Sequence, residues 1–153
     1  MTRQDIDNAL DKWKYGLLEI SKTYREGGDY KTLAHNLIKD IYAYDNNDVL
    51  FKPTLASKQM FRGELDGAVS YFVAGNDKYA EDNGFAINPW QDISFENTGY
   101  IIEGNVGIVM GNKRLTQIDG SKVIANYTMA FKPNNKGELQ IILHHSSLPY
   151  SPV

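Results

Sequence analysis

Hydrophobic positions recur at two different spacings along the chain, and the change between them falls near Pro89. Before this residue, apolar side chains stand three and four positions apart, the period of a helix with one buried side. After it, short apolar runs alternate with polar residues between turn sequences, which is typical of antiparallel strands. Helices at the start and strands at the end predict an α+β fold, with the helices on one face of an antiparallel sheet.

Two long helices are predicted at the start of the chain. The first begins near Thr2 or Asp5 and ends at Gly27. Its apolar stripe consists of Ile6, Leu10, Trp13, Leu17, Ile20 and Tyr24. The second follows at once, with Asp29 as its N-cap. Its stripe consists of Leu33, Leu37, Ile41 and Tyr44, helped by Ala34 and Ile38.

Between these helices and the sheet, the pattern predicts three shorter segments. Residues 49–52 form a short strand that ends at Pro53, which has no amide hydrogen to donate to a neighbouring strand. A third helix runs from Leu65 to the region of Gly75. Residues 76–89 show no period and carry several charges, so we expect a surface loop.

The turn at Asp119-Gly120 predicts the register of the sheet. A two-residue hairpin at this point places Ile118 opposite Ser121 and, further along, Arg114 opposite Ala125. Because cross-strand partners share one face, the register defines an inner face. Its predicted apolar members are Ile93, Phe95, Ile108, Met110, Met129, Phe131 and Ile142, with Gly99 and Ile101 beside them. Its predicted polar members are Asn97, Asn112, Arg114, Tyr127 and His144.

These five polar residues on a mostly apolar face predict a small-ligand site. A cation such as Arg114 in apolar surroundings is either paired, solvated or placed to bind an anion. Pairing with Asp40, Glu81 or Asp82, or a place at the wet mouth of the pocket, is the alternative. His144 is either a hydrogen-bonding or acid–base group of the pocket or a core histidine with satisfied hydrogen bonds.

The opposite face of the predicted sheet is too apolar to be fully solvated. It carries Val109, Gly111, Leu115, Ala130, Ile141 and Leu143. A two-fold axis across this face would bury the same patch from both chains, so we expect a homodimer or a larger homo-oligomer. Wrapping of the helices around this face is the alternative.

Composition narrows the classes of function. The 153 residues, 42% of them hydrophobic, are enough for one domain spanning 1–153. A net charge of −3 with dispersed Lys and Arg argues against a nucleic-acid partner, and no apolar run reaches membrane-spanning length, so we expect a cytoplasmic protein. The chain has no cysteine, and His144-His145 point to opposite faces of a strand, so we expect neither a metal site nor a cofactor.

Several stretches resemble known families. The order helix-helix-strand-helix before a curved meander resembles the nuclear transport factor 2-like, or cystatin-like cone, superfamily, which also includes SnoaL-like proteins. Residues 114–120 and 144–147 resemble the association domain of calcium/calmodulin-dependent kinase II and its bacterial relatives. Residues 49–53, 84–90 and 143–150 resemble small bacterial proteins labelled phosphoribosyl-AMP cyclohydrolase. The resemblance implies a pocket between the helices and the concave sheet face, and dimers or rings.

The resemblance also bears on single residues. Arg114 matches a pocket arginine of the kinase association domain, whose cavity accepts small carboxylates. Lys52 stands where ketosteroid isomerases of the superfamily carry their aspartate base, so this position does not offer a carboxylate for proton abstraction. The well-established cyclohydrolases resemble zinc enzymes with cysteine ligands, which this chain lacks.

Two functions follow as expectations. The first is a pocket protein, with or without catalytic activity, that binds a small anionic or polar organic molecule. The second is an association or scaffold module whose outer sheet face is its important surface, without catalytic activity. The same fold hosts both kinds of protein, so the fold alone does not choose between them.

Overall fold

Three helices packed on a five-stranded sheet make up the protein, and its computed structural model describes residues 1–153. The elements are α1 (Arg3–Arg25), α2 (Tyr30–Ile41), β1 (Leu50–Lys52), α3 (Leu65–Val73), β2 (Trp90–Glu103), β3 (Val106–Gln117), β4 (Lys122–Pro133) and β5 (Leu139–Ser147). Two short 3-10 helices, Asp77–Tyr79 and Phe85–Ile87, lie in the predicted loop. The predicted α+β order is confirmed. None of the helices combines the length and the apolarity needed to cross a bilayer.

Helix α1 is fixed at its start by a capping box. The Thr2 hydroxyl accepts from the Asp5 amide at 3.2 Å, and the Asp5 carboxylate accepts from the Thr2 amide at 2.7 Å. The predicted stripe is buried from Ile6 to Ile20, but Tyr24 is exposed. Near the helix end Tyr24 packs edge-on against Tyr30, with ring centroids 4.9 Å apart, instead of entering the core.

Helix α2 begins where predicted, because Asp29 accepts a hydrogen bond from the Thr32 amide at 3.2 Å. It ends earlier than the stripe suggests, since Tyr42 adopts an extended conformation (φ −101°, ψ 143°) and bridges to Ile141. This change of direction buries Tyr42 completely. Its hydroxyl group is thereby carried into the space between the helices and the sheet.

The strand order is β1-β5-β4-β3-β2. Strand β1 pairs with β5 in parallel, with Phe51 beside His144, and all other neighbours are antiparallel. The helices cover one face of this sheet, and the core lies between them. The predicted fold class is confirmed, with β1 extending the predicted four-strand meander to five strands.

The predicted register of β3 and β4 is wrong by one residue. The loop has three residues rather than two, because Gly120 adopts a positive φ of 88° and Gln117 pairs with Ser121 through a 2.8 Å backbone hydrogen bond. Arg114 therefore lies opposite Ile124, and Lys113 lies opposite Ala125. A shift of one residue exchanges the two faces of β3.

The exchange reverses the predicted inner and outer sets of β3. The residues that face the helices are Gly107, Val109, Gly111, Lys113 and Leu115. The residues that face away are Ile108, Met110, Asn112 and Arg114. On β4, Tyr127, Met129 and Phe131 are buried as predicted.

Two further irregularities adjust the neighbouring strands. A bulge between Asn97 and Gly99 keeps Ile93, Phe95 and Asn97 inward but turns Tyr100 and Ile102 inward in place of Gly99 and Ile101. The backbones pack so closely there that a Cβ on Gly111 would lie 2.2 Å from the Glu96 carbonyl oxygen. A second irregularity near Phe131 places Ile141 in the core rather than on the outer face. His144 and Ser146 lie inward as predicted.

Candidate functional site

A buried group of polar side chains centres on His144, which is 2% exposed. The Tyr42 hydroxyl lies 2.7 Å from His144 Nδ1, and Lys113 Nζ lies 3.0 Å from His144 Nε2. The Trp13 indole N–H donates to the Tyr42 hydroxyl at 3.1 Å. We call these four residues the His144 network. Elements from both layers contribute: α1, the end of α2, β3 and β5.

The electrostatics of the His144 network follow from burial. Desolvation, followed by repulsion from Lys113 and His145, holds the pKa of His144 well below its ordinary value, so the imidazole is neutral. Desolvation also lowers the pKa of Lys113 to about 7 and raises the pKa of Tyr42 well above its ordinary value. The network therefore combines a neutral imidazole with an amine that changes charge near neutral pH.

Sequence reasoning missed Lys113, Tyr42 and Trp13 as site residues. Lys113 stands between Asn112 and Arg114 in the sequence. The two-residue hairpin register places these two residues on the inner face of the sheet and Lys113 on the outer face. A three-residue loop at Asp119-Gly120 would have identified it, because that register alone reverses β3. Tyr42 lies just beyond α2, where the helical period no longer reports burial.

A second polar group lies beside the first and contains three hydroxyl side chains. Thr54 Oγ1 donates to Ser146 Oγ at 2.7 Å, and the Tyr71 hydroxyl accepts from the Leu55 amide at 3.2 Å, next to Thr54. Desolvation raises the pKa of Tyr71 to about 12, although its hydrogen bonds with Leu55 and Thr54 act to lower it. We call Thr54, Tyr71 and Ser146 the hydroxyl cluster.

Phe51 lies between the hydroxyl cluster and the His144 network. Its ring is stacked on His144, with centroids 5.0 Å apart, and stands edge-on to Tyr71 at 6.1 Å. Lys52 follows on the same strand and donates from Nζ to the Ser146 carbonyl at 3.1 Å. This region of the core therefore places an apolar wall beside hydroxyl groups and an imidazole.

Of the five predicted site residues, Asn97, Tyr127 and His144 lie between the sheet and the helices. The Tyr127 hydroxyl donates to Asn97 Oδ1, and Asn97 Nδ2 donates to the Tyr100 hydroxyl at 3.0 Å. Tyr100 in turn donates to Asp7 at 2.6 Å. This chain of hydrogen bonds connects β4 to the surface of α1.

The predicted places of Arg114 and Asn112 in the pocket are wrong. Both face away from the helices because of the shifted register. Arg114 forms an exposed ion pair with Glu96, rather than with Asp40, Glu81 or Asp82. Asn112 accepts a hydrogen bond from Asn126 at 2.6 Å on the same outer face.

The acidic residues of the loop 76–89 hold a buried arginine. Asp82 accepts two hydrogen bonds from the Arg62 guanidinium, at 2.7 and 2.8 Å, and neither side chain is exposed. Glu81 accepts from the backbone amides of Ser57, Lys58 and Gln59, which lowers its pKa to about 2. These contacts tie the loop to the connection between β1 and α3. The structure contains no group of three or more His, Cys, Asp or Glu residues arranged to hold a metal ion.

Comparison with known proteins gives one family. Residues 4–148 match the family described as metal-independent carbonic anhydrase. A protein of Nostoc sp. named metal-independent carbonic anhydrase is 39% identical over 153 residues, which cover 98% of this chain and 75% of that protein. The crystal structure of a cyanobacterial iota-carbonic anhydrase complexed with bicarbonate is also 39% identical. It has a TM-score of 0.97 over 99% of this chain and 94% of that one.

More distant structures share the fold alone. A putative calcium/calmodulin-dependent protein kinase II association domain from Xanthomonas campestris is 20% identical, with a TM-score of 0.67 over 99% of this chain and 91% of that one. A nuclear transport factor 2-like protein from Salmonella enterica is 11% identical, with a TM-score of 0.53 over 98% and 92%. The predicted superfamily fold is confirmed.

Proposed function

The chain belongs to the metal-independent carbonic anhydrase family, and from this premise we propose that it catalyses the reversible hydration of carbon dioxide to bicarbonate. The family corrects two expectations from the sequence. The expected ligand was a small organic molecule with no defined reaction, whereas the family indicates an inorganic anion. The alternative expectation, a scaffold without catalytic activity, is wrong because the family is one of enzymes. The resemblance to proteins labelled phosphoribosyl-AMP cyclohydrolase also gives the wrong family.

The reaction sets four requirements for the site. One bond forms between a water oxygen and the carbon of CO2 as one C–O π bond opens and its electron pair moves to oxygen, one O–H bond of that water breaks, and a base receives the proton. The site must therefore accept an apolar linear molecule, hold water beside it and stabilise the negative charge that develops on the two CO2 oxygens. It must also contain a group that is unprotonated near neutral pH.

The region around Phe51 meets these requirements. The rings of Phe51 and Phe72, stacked with centroids 6.0 Å apart, offer an apolar surface for CO2. Ser146, Thr54 and Tyr71 carry hydroxyl groups that donate and accept hydrogen bonds, as needed for water and for the oxygens of bicarbonate. We assign the hydroxyl cluster to the binding of water and bicarbonate.

The burial of a neutral imidazole two residues from a buried hydroxyl, both on the inward face of β5, carries this proposal. His144 is held unprotonated, so it does not repel the proton that must leave the water. The amine of Lys113, hydrogen-bonded to the other side of the same ring, is the basic group of the His144 network. The bicarbonate in the crystal structure of the cyanobacterial relative fits a site for this product.

Stopped-flow measurement of CO2 hydration tests the proposal, using protein treated with a chelator. We expect catalysis above the buffer rate by the wild type and a loss of about 10²-fold in kcat/KM for Ser146→Ala, the size of effect seen when one anion-stabilising donor is removed. Ser147→Ala is the matched control, because Ser147 pairs with Asn126 on the outer face. A wild-type rate equal to the buffer rate, or equal losses in both variants, contradicts the proposal.

We also propose that the chain forms a homo-oligomer through the outer face of the sheet, although not through the residues predicted from the sequence. Four of the six predicted contact residues, Val109, Gly111, Leu115 and Ile141, lie in the core. The outer face carries instead one apolar residue from each strand in a single cross-strand row: Ile101, Ile108, Ala130, Leu143 and Leu50. We call this set the outer row.

The outer row supports self-association by its exposure and its symmetry. Leu50 is 66% exposed and Ile101 is 61% exposed, which leaves both ends of the row in water in a single chain. A two-fold axis parallel to the strands places the row of one chain directly on the row of its partner. His145 is the next outward-facing residue of β5 after Leu143, so it would be near the contact.

A further inference from the structure

Lys113 is a buried amine without a carboxylate partner. It is 2% exposed, and none of the salt bridges in the structure includes it. Its Nζ lies 4.7 Å from the centre of the Trp13 ring and 5.5 Å from that of Tyr127. The hydrogen bond to His144 Nε2 is the polar contact that this amine makes with another side chain.

The charge of Lys113 restricts which nitrogen of His144 carries the hydrogen. An ammonium group only donates, so it requires an unprotonated Nε2, and the ring hydrogen then sits on Nδ1 and points to the Tyr42 oxygen. A neutral amine has a lone pair and can also accept from an Nε2–H group, in which case Nδ1 accepts from the Tyr42 hydroxyl. The same three residues thus support two hydrogen-bond directions without any change of position.

We propose that Lys113 is a positioning residue of the reaction site, which selects the tautomer of His144 and, through it, the direction in which the Tyr42 hydroxyl donates. This inference deepens the proposed function, and its catalytic consequence rests on that function. The tautomer exchange itself depends only on the geometry of the His144 network.

The groups that face Lys113 support an exchange near neutral pH. Strand β4 contributes Tyr127, β5 contributes His144, with His145 next in sequence, and the end of α2 contributes Tyr42 through His144. Helix α1 contributes the uncharged Trp13, and β2 contributes Phe95, which lies beside Lys113 in register. Burial lowers the pKa of Lys113 to about 7. The pKa of His144 lies below that of the amine, so His144 stays neutral while Lys113 changes charge.

The direction of the Tyr42 hydroxyl links this exchange to bicarbonate. When Lys113 is an ammonium group, the Tyr42 oxygen accepts hydrogen bonds from Trp13 and from His144 Nδ1–H. The Tyr42 hydroxyl hydrogen must then be donated to a different acceptor. An anion bound within reach of this hydroxyl would be such an acceptor, and its charge would also favour the ammonium form. When Lys113 is neutral, the hydroxyl donates to His144. Hydration of CO2 releases one proton and produces one anion, so uptake of that proton by the amine and binding of bicarbonate favour each other.

Nuclear magnetic resonance of protein labelled with ¹⁵N in histidine tests the inference directly. We expect the His144 resonances to show the hydrogen on Nδ1 at low pH and on Nε2 at high pH, exchanging around a midpoint of about pH 7 and without an imidazolium signal between about pH 5.5 and about pH 9. His35→Gln and His145→Gln assign the signals by removing the other two histidines.

Variants at Lys113 supply the comparison. In Lys113→Met the exchange should disappear, whereas in Lys113→Arg, where the cation is permanent, the hydrogen should remain on Nδ1 at every pH. Lys122→Met removes an exposed lysine and should leave the exchange unchanged. The wild-type titration decides the matter even if neither Lys113 variant folds. A His144 tautomer that stays the same across the range, or protonation of its ring within it, overturns the inference.

Kinetics separate this inference from the proposed function. If the wild type hydrates CO2, we expect Lys113→Met to lower kcat by about 10²-fold and to abolish the step in its pH profile near pH 7. Lys113→Arg should keep the KM for bicarbonate in the reverse reaction near that of the wild type while lowering kcat. A wild type that shows the tautomer exchange but no hydration supports the inference and contradicts the proposed function. Activity without the exchange does the reverse.

Discussion

Lys113 Nζ and His144 Nε2 lie 3.0 Å apart although their strands, β3 and β5, are not neighbours in the sheet. Two strand spacings, roughly 10 Å, separate these backbones, so both side chains must reach over β4. Ala125 is the cross-strand partner of Lys113 and leaves room for the lysine stem. The contact therefore joins residues that no single hairpin brings together.

Removal of the Lys113 amine should make the stability of the protein less dependent on pH. The folded-state pKa of about 7 lies below the unfolded value of about 10.4, so the folded chain loses stability as pH falls from about 10 to about 7, by roughly 1.4 kcal/mol per unit. Below pH 7 the loss is complete. Lys113→Met should therefore be more stable than the wild type near pH 7, by a margin that shrinks as the pH approaches 10. Urea unfolding at several pH values measures this margin, and a margin that is constant with pH contradicts it.

Asp82 should be the most sensitive acidic residue of the loop 76–89. Its carboxylate pairs with Arg62 in a fully buried setting, so Asp82→Ala leaves a buried cation whose remaining carboxylate partner, Glu81, is 3.9 Å away. We expect a loss of about 3–5 kcal/mol in the free energy of unfolding. Asp77→Ala, an exposed change in the same loop, should remain near the wild type. Equal midpoints of thermal unfolding for the two variants would show that the pair contributes no stability.

Gly111 and Gly99 should respond differently to the same added methyl group. A Cβ at Gly111 would lie 2.2 Å from the Glu96 carbonyl oxygen, whereas a Cβ at Gly99 meets nothing within 4 Å. Gly111→Ala should destabilise the protein by about 1–3 kcal/mol or more, because β2 and β3 must separate at the bulge. Gly99→Ala should stay within about 0.5 kcal/mol of the wild type. Chemical unfolding of the two variants in parallel checks this contrast.

Leu143→Glu should dissociate the proposed oligomer. The change places a charge at the outer row, where a partner chain would bury it without a counter-charge. Light scattering at micromolar concentration should then give the mass of one chain, whereas Arg114→Glu, elsewhere on this face, serves as the control. A wild type that already has the mass of one chain, unchanged by Leu143→Glu, shows that the outer row is not an assembly surface.

Arg114→Ala should leave catalysis unchanged. Its guanidinium lies on the outer face and pairs with Glu96, so it has no route to the hydroxyl cluster or to the His144 network. The kcat/KM for CO2 hydration should equal that of the wild type, and the midpoint of thermal unfolding should move little, since exposed ion pairs contribute little to stability. A large loss of activity would restore the anion-binding role that the sequence alone suggests for this arginine.

The sequence predicts the helices more completely than the faces of the sheet. The start of α1 near Thr2, the N-cap Asp29, the stripe of α1 up to Ile20 and the strand-rich end follow from local patterns that each segment satisfies by itself. The faces of β3 did not follow, because they depend on whether the loop at Gly120 holds two residues or three. Because the loop holds one residue more than predicted, Lys113 rather than Arg114 lies in the core.

The sequence by itself determined the order of elements, the α+β class and the inward direction of Tyr127. These follow from local periods, which are properties of neighbouring residues. Only the tertiary structure decided that Lys113, Tyr42 and Trp13 meet at His144, and that Thr54 meets Ser146. Those contacts join residues far apart in the chain, and they depend on a loop, two strand irregularities and the turn after α2, where period carries no information.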